Sequence, residues 1–153
     1  YGFVAQVQDM VSRQKAGKSF LNVAAGATLN RPSALLGKAR MVDGQLESDE
    51  LQMATHIACA STGGRVLTFE LRELKHMAKG GRGLMLIDLE AKDTLAGAAA
   101  YVRSVCISGI GRGGKQREET LEIRSLNNAR GVRARKGKMA DLGFKPNAVE
   151  RVV

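Results

Sequence analysis

The sequence predicts an all-β, propeller-like chain of about three four-stranded antiparallel blades, and three observations predict it. Apolar and polar residues alternate with period two over several short stretches. Glycine is abundant, 18 residues against 2 prolines, as a domain with many tight turns requires. A loop of the form basic-x-Gly-basic occurs three times, at Lys15-Ala-Gly-Lys18, Lys79-Gly-Gly-Arg82 and Arg135-Lys-Gly-Lys138.

In chain order, Phe3, Ala5 and Val7 alternate with Val4, Gln6 and Gln8, which reads as a half-buried strand. The segment 37–55, with Asp43, Glu47, Asp49 and Glu50, breaks the alternation and reads as a solvated connection with one short helical turn. "STGGR" at 61–65 is a hairpin turn, because paired glycines supply positive φ angles. In the strand that follows, Leu67, Phe69 and Leu71 share one face while Thr68 and Glu70 take the other. Leu84 to Ile87 and Val105 to Ile107 are apolar runs suited to inner strands. "GRGGK" at 111–115 is a further basic turn, and in 119–124 Leu121 and Ile123 face in while Thr120, Glu122 and Arg124 face out. Each basic loop lies about a dozen residues after an alternating strand. Thr68-Phe-Glu-Leu-Arg72 also matches Thr120-Leu-Glu-Ile-Arg124. Four short strands per repeat is the arithmetic of a blade. The blades fall at 1–36, 56–101 and 102–153, with 37–55 as the connection between the first two.

A chain of 153 residues with 44% hydrophobic content is large enough to bury one core. The opening "YGFVAQV" begins inside a strand-like pattern and without Met, which reads as part of a longer polypeptide. Aromatics make up 4%, with no Trp, so modules that stack bases on exposed rings are disfavoured. Cys59 and Cys106 lie far apart, with no Cys-x-x-Cys, and only His56 and His76 could join them. Neither a zinc site nor a disulfide framework follows, and two reduced, buried thiols in a cytosolic protein are expected. No apolar run is long enough to span a membrane. A formal charge of +9 points to a polyanionic partner. Between Val102 and Lys138 ten Lys and Arg stand against three acids, interspersed with the strand pattern, as on one basic face of a folded scaffold.

"SRQKAGKS" at 12–19 ends like a phosphate-binding P-loop, but that loop needs a glycine where Ser12 stands and a helix where "FLNV" follows. No Ser/His/Asp or Cys/His grouping emerges from spacing, and the carboxylates are scattered. His56 reads as packed or exposed, and His76 could at most touch a phosphate. The repeated loop makes sense as a contact to a nucleic-acid backbone. Glycine (Gly17, Gly81, Gly137) lets the main chain approach, and the flanking cation displaces counterions. The candidate DNA-binding residues are Lys15, Lys18, Lys79, Arg82, Arg135 and Lys138, with Arg112 and Lys115 behind them. One such loop per blade would set cations along one rim that a bending duplex could follow. No catalytic residue and no metal ligand is assigned.

"LTFELRELKHMAKGGRGLMLIDLEAKDTLAGAAAY", "ISGIGRGGK", "ETLEIRSLNNARG" and "RKGKMADLGFKP" together resemble the C-terminal domain of the A protein of bacterial DNA topoisomerase IV, a relative of the gyrase A C-terminal domain. The resemblance runs through essentially the whole chain. It implies a β-pinwheel, a ring of four-stranded blades that exchange strands, of which this chain has room for about three. It also implies an outer rim that binds and bends duplex DNA. The gyrase wrapping box, Gln-Arg-Arg-Gly-Gly-Lys-Gly, corresponds here to Met77-Ala-Lys-Gly-Gly-Arg-Gly83. Met77 and Ala78 depart from it, which favours topoisomerase IV over gyrase-type wrapping. The implied role is a non-catalytic DNA-binding and DNA-bending module. The whole type IIA enzyme would relax and decatenate DNA with ATP, as an A2B2 assembly with the ATPase B subunit, in the bacterial cytoplasm at the nucleoid. Peripheral contact of that enzyme with the inner membrane is left open. Mg and ATP would act elsewhere in it, there is no small-molecule substrate for this segment, and neither Tyr1 nor Tyr101 has the context of a cleavage tyrosine. The alternatives are a gyrase A wrapping domain and a scaffold whose basic rim docks an acidic protein.

Overall fold

A computed structural model describes residues 1–36, 41–42, 45–46 and 53–152. The strands are β1 (Met41–Val42), β2 (Gln45–Leu46), β3 (His56–Ser61), β4 (Arg65–Glu70), β5 (Leu95–Tyr101), β6 (Val105–Ile110), β7 (Gln116–Leu121), β8 (Lys138–Met139) and β9 (Lys145–Arg151). Among the described residues one α-helix, α1, covers Ile123–Asn128. The strands form an antiparallel four-stranded sheet in the order β5-β3-β4-β8 and a three-stranded one in the order β7-β6-β9, with β1 and β2 as a separate pair. Within the segment 37–55, the expected helical turn and Asp43, Glu47, Asp49 and Glu50 lie outside the described residues.

The four-stranded sheet is buried on both faces. Ala58, Ala60, Val66 and Ala99 face a core shared with Val105, Ile107, Leu121, Leu126 and Val149 of the other sheet and its helix. Ile57, Cys59, Leu67 and Phe69 face a second cluster with Leu86, Ile87 and Ala100. The expected half-buried β4 is therefore a fully covered strand. Thr68 is buried, and its hydroxyl is satisfied by donating to the Leu126 carbonyl at 3.0 Å. The alanines of β3 and β5 leave room for close sheet packing: a Cβ on Gly97 would lie 2.7 Å from the Val149 nitrogen. Alanine-rich "LAGAAAY" has helical propensity, yet pairing with β3 makes it a strand.

The turn at 61–65 forms as expected, with Gly64 at φ +92. Asp93 closes it, accepting from the Thr62 hydroxyl at 3.0 Å and the Gly63 and Thr94 N–H groups at 2.8 and 2.9 Å. Burial pushes the Asp93 carboxyl up, but bonds from Ser61, Gly63, Thr62 and Thr94 outweigh it and hold the group below its ordinary value.

Three expected elements differ. Residues 3–7 make no ladder: Val4 is bridged to His76 and Gly2 to Leu84. Val7–Met10 then turns into a 3-10 helix in which Asp9 takes the Gln6 N–H at 3.0 Å. In Leu84 to Ile87 only Leu86 and Ile87 are buried, and the run is irregular apart from the Leu84 bridge. The strand expected at 119–124 ends at Leu121. Beyond it the chain coils into α1, so that Leu126 and Ala129 reach the core and Ile123 becomes 53% exposed. Cys59 is buried, and burial pushes its thiol up to about 12, while Cys106 is only half-buried, against the expectation of two buried thiols.

Candidate nucleic-acid interface

Two pairs of backbone contacts show how the basic loops are placed. Gly2 pairs antiparallel with Leu84 while Val4 bridges His76 in parallel. Val66 pairs antiparallel with Lys138 while Thr68 bridges Arg130 in parallel. The same pattern occurs twice, so 76–84 and 130–138 repeat one set of backbone contacts, the first along residues 2–4 and the second along β4. The segment after one loop also holds the next. Gly81 donates to the Phe20 carbonyl at 2.9 Å and accepts from Asn22 at 3.0 Å, and Ala134 donates to the Leu86 carbonyl at 2.8 Å while Arg135 accepts from Asp88 at 3.1 Å. The loops thus follow one another in strand-exchange order.

This register differs from the one the motif suggests. Matching Lys79-Gly-Gly-Arg82 to Arg135-Lys-Gly-Lys138 is off by two residues, because the strand contacts set Lys79 to Arg82 against Arg133 to Lys136. Gly83 and Gly137 then coincide, with φ +81 and +73, and a Cβ on either would lie 2.3 Å from the Gly2 carbonyl oxygen or 2.6 Å from that of Val66. Ala134, at φ +63, is the one non-glycine residue with positive φ among the described residues, and it stands where Gly80 does, at φ +73. The motif is too loose to fix register in so basic a chain; backbone bonds and steric necessity fix it.

Lys15, Lys18, Lys79, Arg82, Arg112, Lys115, Arg135 and Lys138 are all at least partly exposed. Lys18 donates to the Asp9 carbonyl and lies 5.8 Å from the Phe20 ring, and Arg82 stacks on Tyr1 with its guanidinium carbon 4.0 Å from the ring centre. Among the described residues, Lys15, Lys79, Arg112, Lys115 and Arg135 form no ion pair. Arg112 and Lys115 flank the tight connection between β6 and β7, where Gly113 and Gly114 both have φ +72. Lys138 is a strand residue opposite Val66. It lines a cleft with Glu119, Asp141 and Met139 rather than standing at a loop tip. Of the loop glycines, Gly17 donates its N–H to Gln14 at 2.9 Å and Gly81 to Phe20, so neither amide is left over for a ligand.

Two cations missed by the motif stand in the third loop. Lys136 is exposed, whereas Arg133 is tied down, donating from its amide to the Glu73 carboxylate at 2.8 Å and from its guanidinium to the Met85 carbonyl at 2.7 Å. The "RARK" run contains both, but only the strand register tells them apart. His56 has its ring Nδ1 2.8 Å from the Thr55 hydroxyl, and burial, then Arg130, depress its pKa. His76 sits 3.4 Å from an Asp9 oxygen. Among the described residues no three His, Cys, Asp or Glu gather as a metal would require. Among them too, no helix is long and apolar enough to cross a membrane.

No family model matches the chain. The A protein of DNA topoisomerase 4 from Neisseria gonorrhoeae is 32% identical over 136 residues, which are 88% of this chain and 16% of that protein. Its counterparts from Pseudomonas aeruginosa and Haemophilus influenzae are 27% and 24% identical over 95% and 96% of this chain, in each case 18% of theirs. The chain therefore spans less than a fifth of the length of these curated relatives. The E. coli ParC C-terminal domain shares its fold with a TM-score of 0.70 at 24% identity, over 98% of this chain and 56% of that one. A C-terminal domain of DNA topoisomerase IV does so at 0.59 and 9% identity, over 93% of this chain and 40% of its own. In sequence and in fold, the chain belongs with the C-terminal β-pinwheel domains of topoisomerase IV A proteins.

Proposed function

We propose that this chain is a duplex-DNA-binding module of a type IIA topoisomerase that acts through its basic rim and carries no chemistry of its own. The observation that supports this most is the series of cations on loops that strand exchange sets one after another: Lys15, then Lys79 and Arg82, then Arg135, none of them in an ion pair among the described residues. Phosphates recruit such cations with little regard to sequence, because the gain is the release of counterions. Arg112 and Lys115, on the turn between β6 and β7, extend the basic surface. A duplex following successive loops bends. In the whole enzyme this rim would engage DNA during ATP-dependent relaxation and decatenation, in an A2B2 assembly with the ATPase protein in the bacterial cytoplasm. Mg and ATP belong to other parts of that enzyme.

Titration of a short duplex by fluorescence anisotropy over a range of salt tests the reading. Affinity should fall steeply and linearly on logarithmic axes as salt rises, be nearly independent of sequence, and survive EDTA. Affinity insensitive to salt, or lost with EDTA, overturns it. Intact DNA affinity in a Lys79→Glu, Arg82→Glu variant that no longer associates with partner subunits would favour docking of an acidic protein instead.

A further inference from the structure

We propose that the third rim loop meets the DNA backbone through Arg135 and Lys136, and that Lys138, the cation its motif singles out, stays off the DNA. This rests on the DNA-binding reading above and assigns the contact within it.

The argument is geometric. The second and third loops match at both ends: a left-handed residue (Gly80, Ala134), two intervening residues, then a left-handed glycine (Gly83, Gly137) pressed against a carbonyl of the neighbouring segment, Gly2 or Val66; between these ends they differ, with Gly81 at φ +137 where Arg135 has no positive φ. Next comes the residue paired with that strand, Leu84 or Lys138. Two residues lie between these left-handed positions. In the second loop these are Gly81 and Arg82, and in the third Arg135 and Lys136, both exposed. Lys136 therefore occupies the place of Arg82. The third tip carries two cations where the second carries one.

Lys138 has a different neighbourhood. Residues paired across an antiparallel ladder put their side chains on the same face, so Lys138 shares the face of Val66. That face borders the cleft lined by Leu121, Ala140 and Leu142, with Glu119 and Asp141 also on its lining. Lys138 is exposed and forms no ion pair with either among the described residues, but these two carboxylates place negative charge on the cleft that a phosphate would have to approach. Arg133, in the place of Lys79, is likewise withdrawn by Glu73 and Met85.

The test compares single variants of the full chain by salt-dependent anisotropy with the same short duplex. Arg82→Ala and Lys136→Ala should each weaken binding and lower the steepness of the salt dependence by about one phosphate contact. Lys136→Arg should restore it. Lys138→Leu, which copies Leu84, should bind as the unmodified chain does. Thermal unfolding of each variant keeps loss of fold apart from loss of contact. A Lys138→Leu variant with the reduced salt slope, beside a Lys136→Ala variant without it, overturns the assignment while leaving the DNA reading standing. An unmodified chain that shows no salt-dependent binding overturns both.

Discussion

Residues 1–7 and β4 carry the same sequence signal and occupy corresponding places, yet only one of them is a strand. Gly2 and Val4 stand to Leu84 and His76 as Val66 and Thr68 stand to Lys138 and Arg130. What differs is the other edge. β4 is paired along its length with β3, which is itself paired with β5. Among the described residues nothing pairs with that edge of 1–7. Alternation supplies a face to bury, but a strand also needs ladder partners for its amides. The burial follows: Phe69 is fully buried, whereas Phe3 is half-buried and packs on Phe20 with ring centres 5.8 Å apart. Val7 and Val11 remain 80% and 67% exposed.

The largest expected effect probes that contrast directly. Phe69→Ala should cost about 3–5 kcal/mol of unfolding free energy, and Phe3→Ala at most about 1 kcal/mol, measured by urea denaturation. Similar losses for both would mean that the first segment is as firmly packed as β4. Next come the loop glycines. Gly137→Ala meets both a positive φ of +73 and the Val66 carbonyl oxygen at 2.6 Å from its new Cβ, whereas Gly17→Ala at φ +75 meets nothing within 4 Å. The first should cost more than about 2 kcal/mol and the second about 1 kcal/mol, the difference being the steric part alone. Equal costs would show that the two glycines serve only backbone conformation.

The smallest effect concerns the turn closures. The β3–β4 turn is stitched by Asp93, while the turn at Gln14 to Gly17 is closed by a backbone bond. Asp93 is held below its unfolded value, so its contribution is fully present above the ordinary carboxylate range and is lost as pH falls through the folded value. Urea midpoints measured from neutral pH down to about pH 3 should decline on that limb. Asp93→Asn should flatten the limb slightly, and an unchanged profile in the variant would remove Asp93 from the account.

The candidate site was legible in part. Exposed cations on glycine-rich loops stand out in the sequence, as does the resemblance of those stretches to a topoisomerase domain, which the relatives and the fold bear out. Lys136 was not legible, because "RARKGK" offers several registers to a four-residue pattern. Likewise α1 hides in an apparent strand, since Leu121 and Ile123 alternate correctly until Leu126 must reach the core.

By itself the sequence determined the composition-level facts: a β-rich chain, strongly basic, with turns at its glycines and the β3–β4 hairpin in place. Those follow from local chemistry, side-chain alternation and the φ freedom of glycine, which act within a few residues. Tertiary structure alone decided the rest. It determined that "LAGAAAY" is a strand, that β4 is covered on both faces, and that the third loop is displaced by two residues from its motif. Each of these depends on which distant backbone offers hydrogen bonds and how closely it approaches. Ala134 shows the consequence: neighbouring backbone holds a left-handed turn there without the glycine that would announce it.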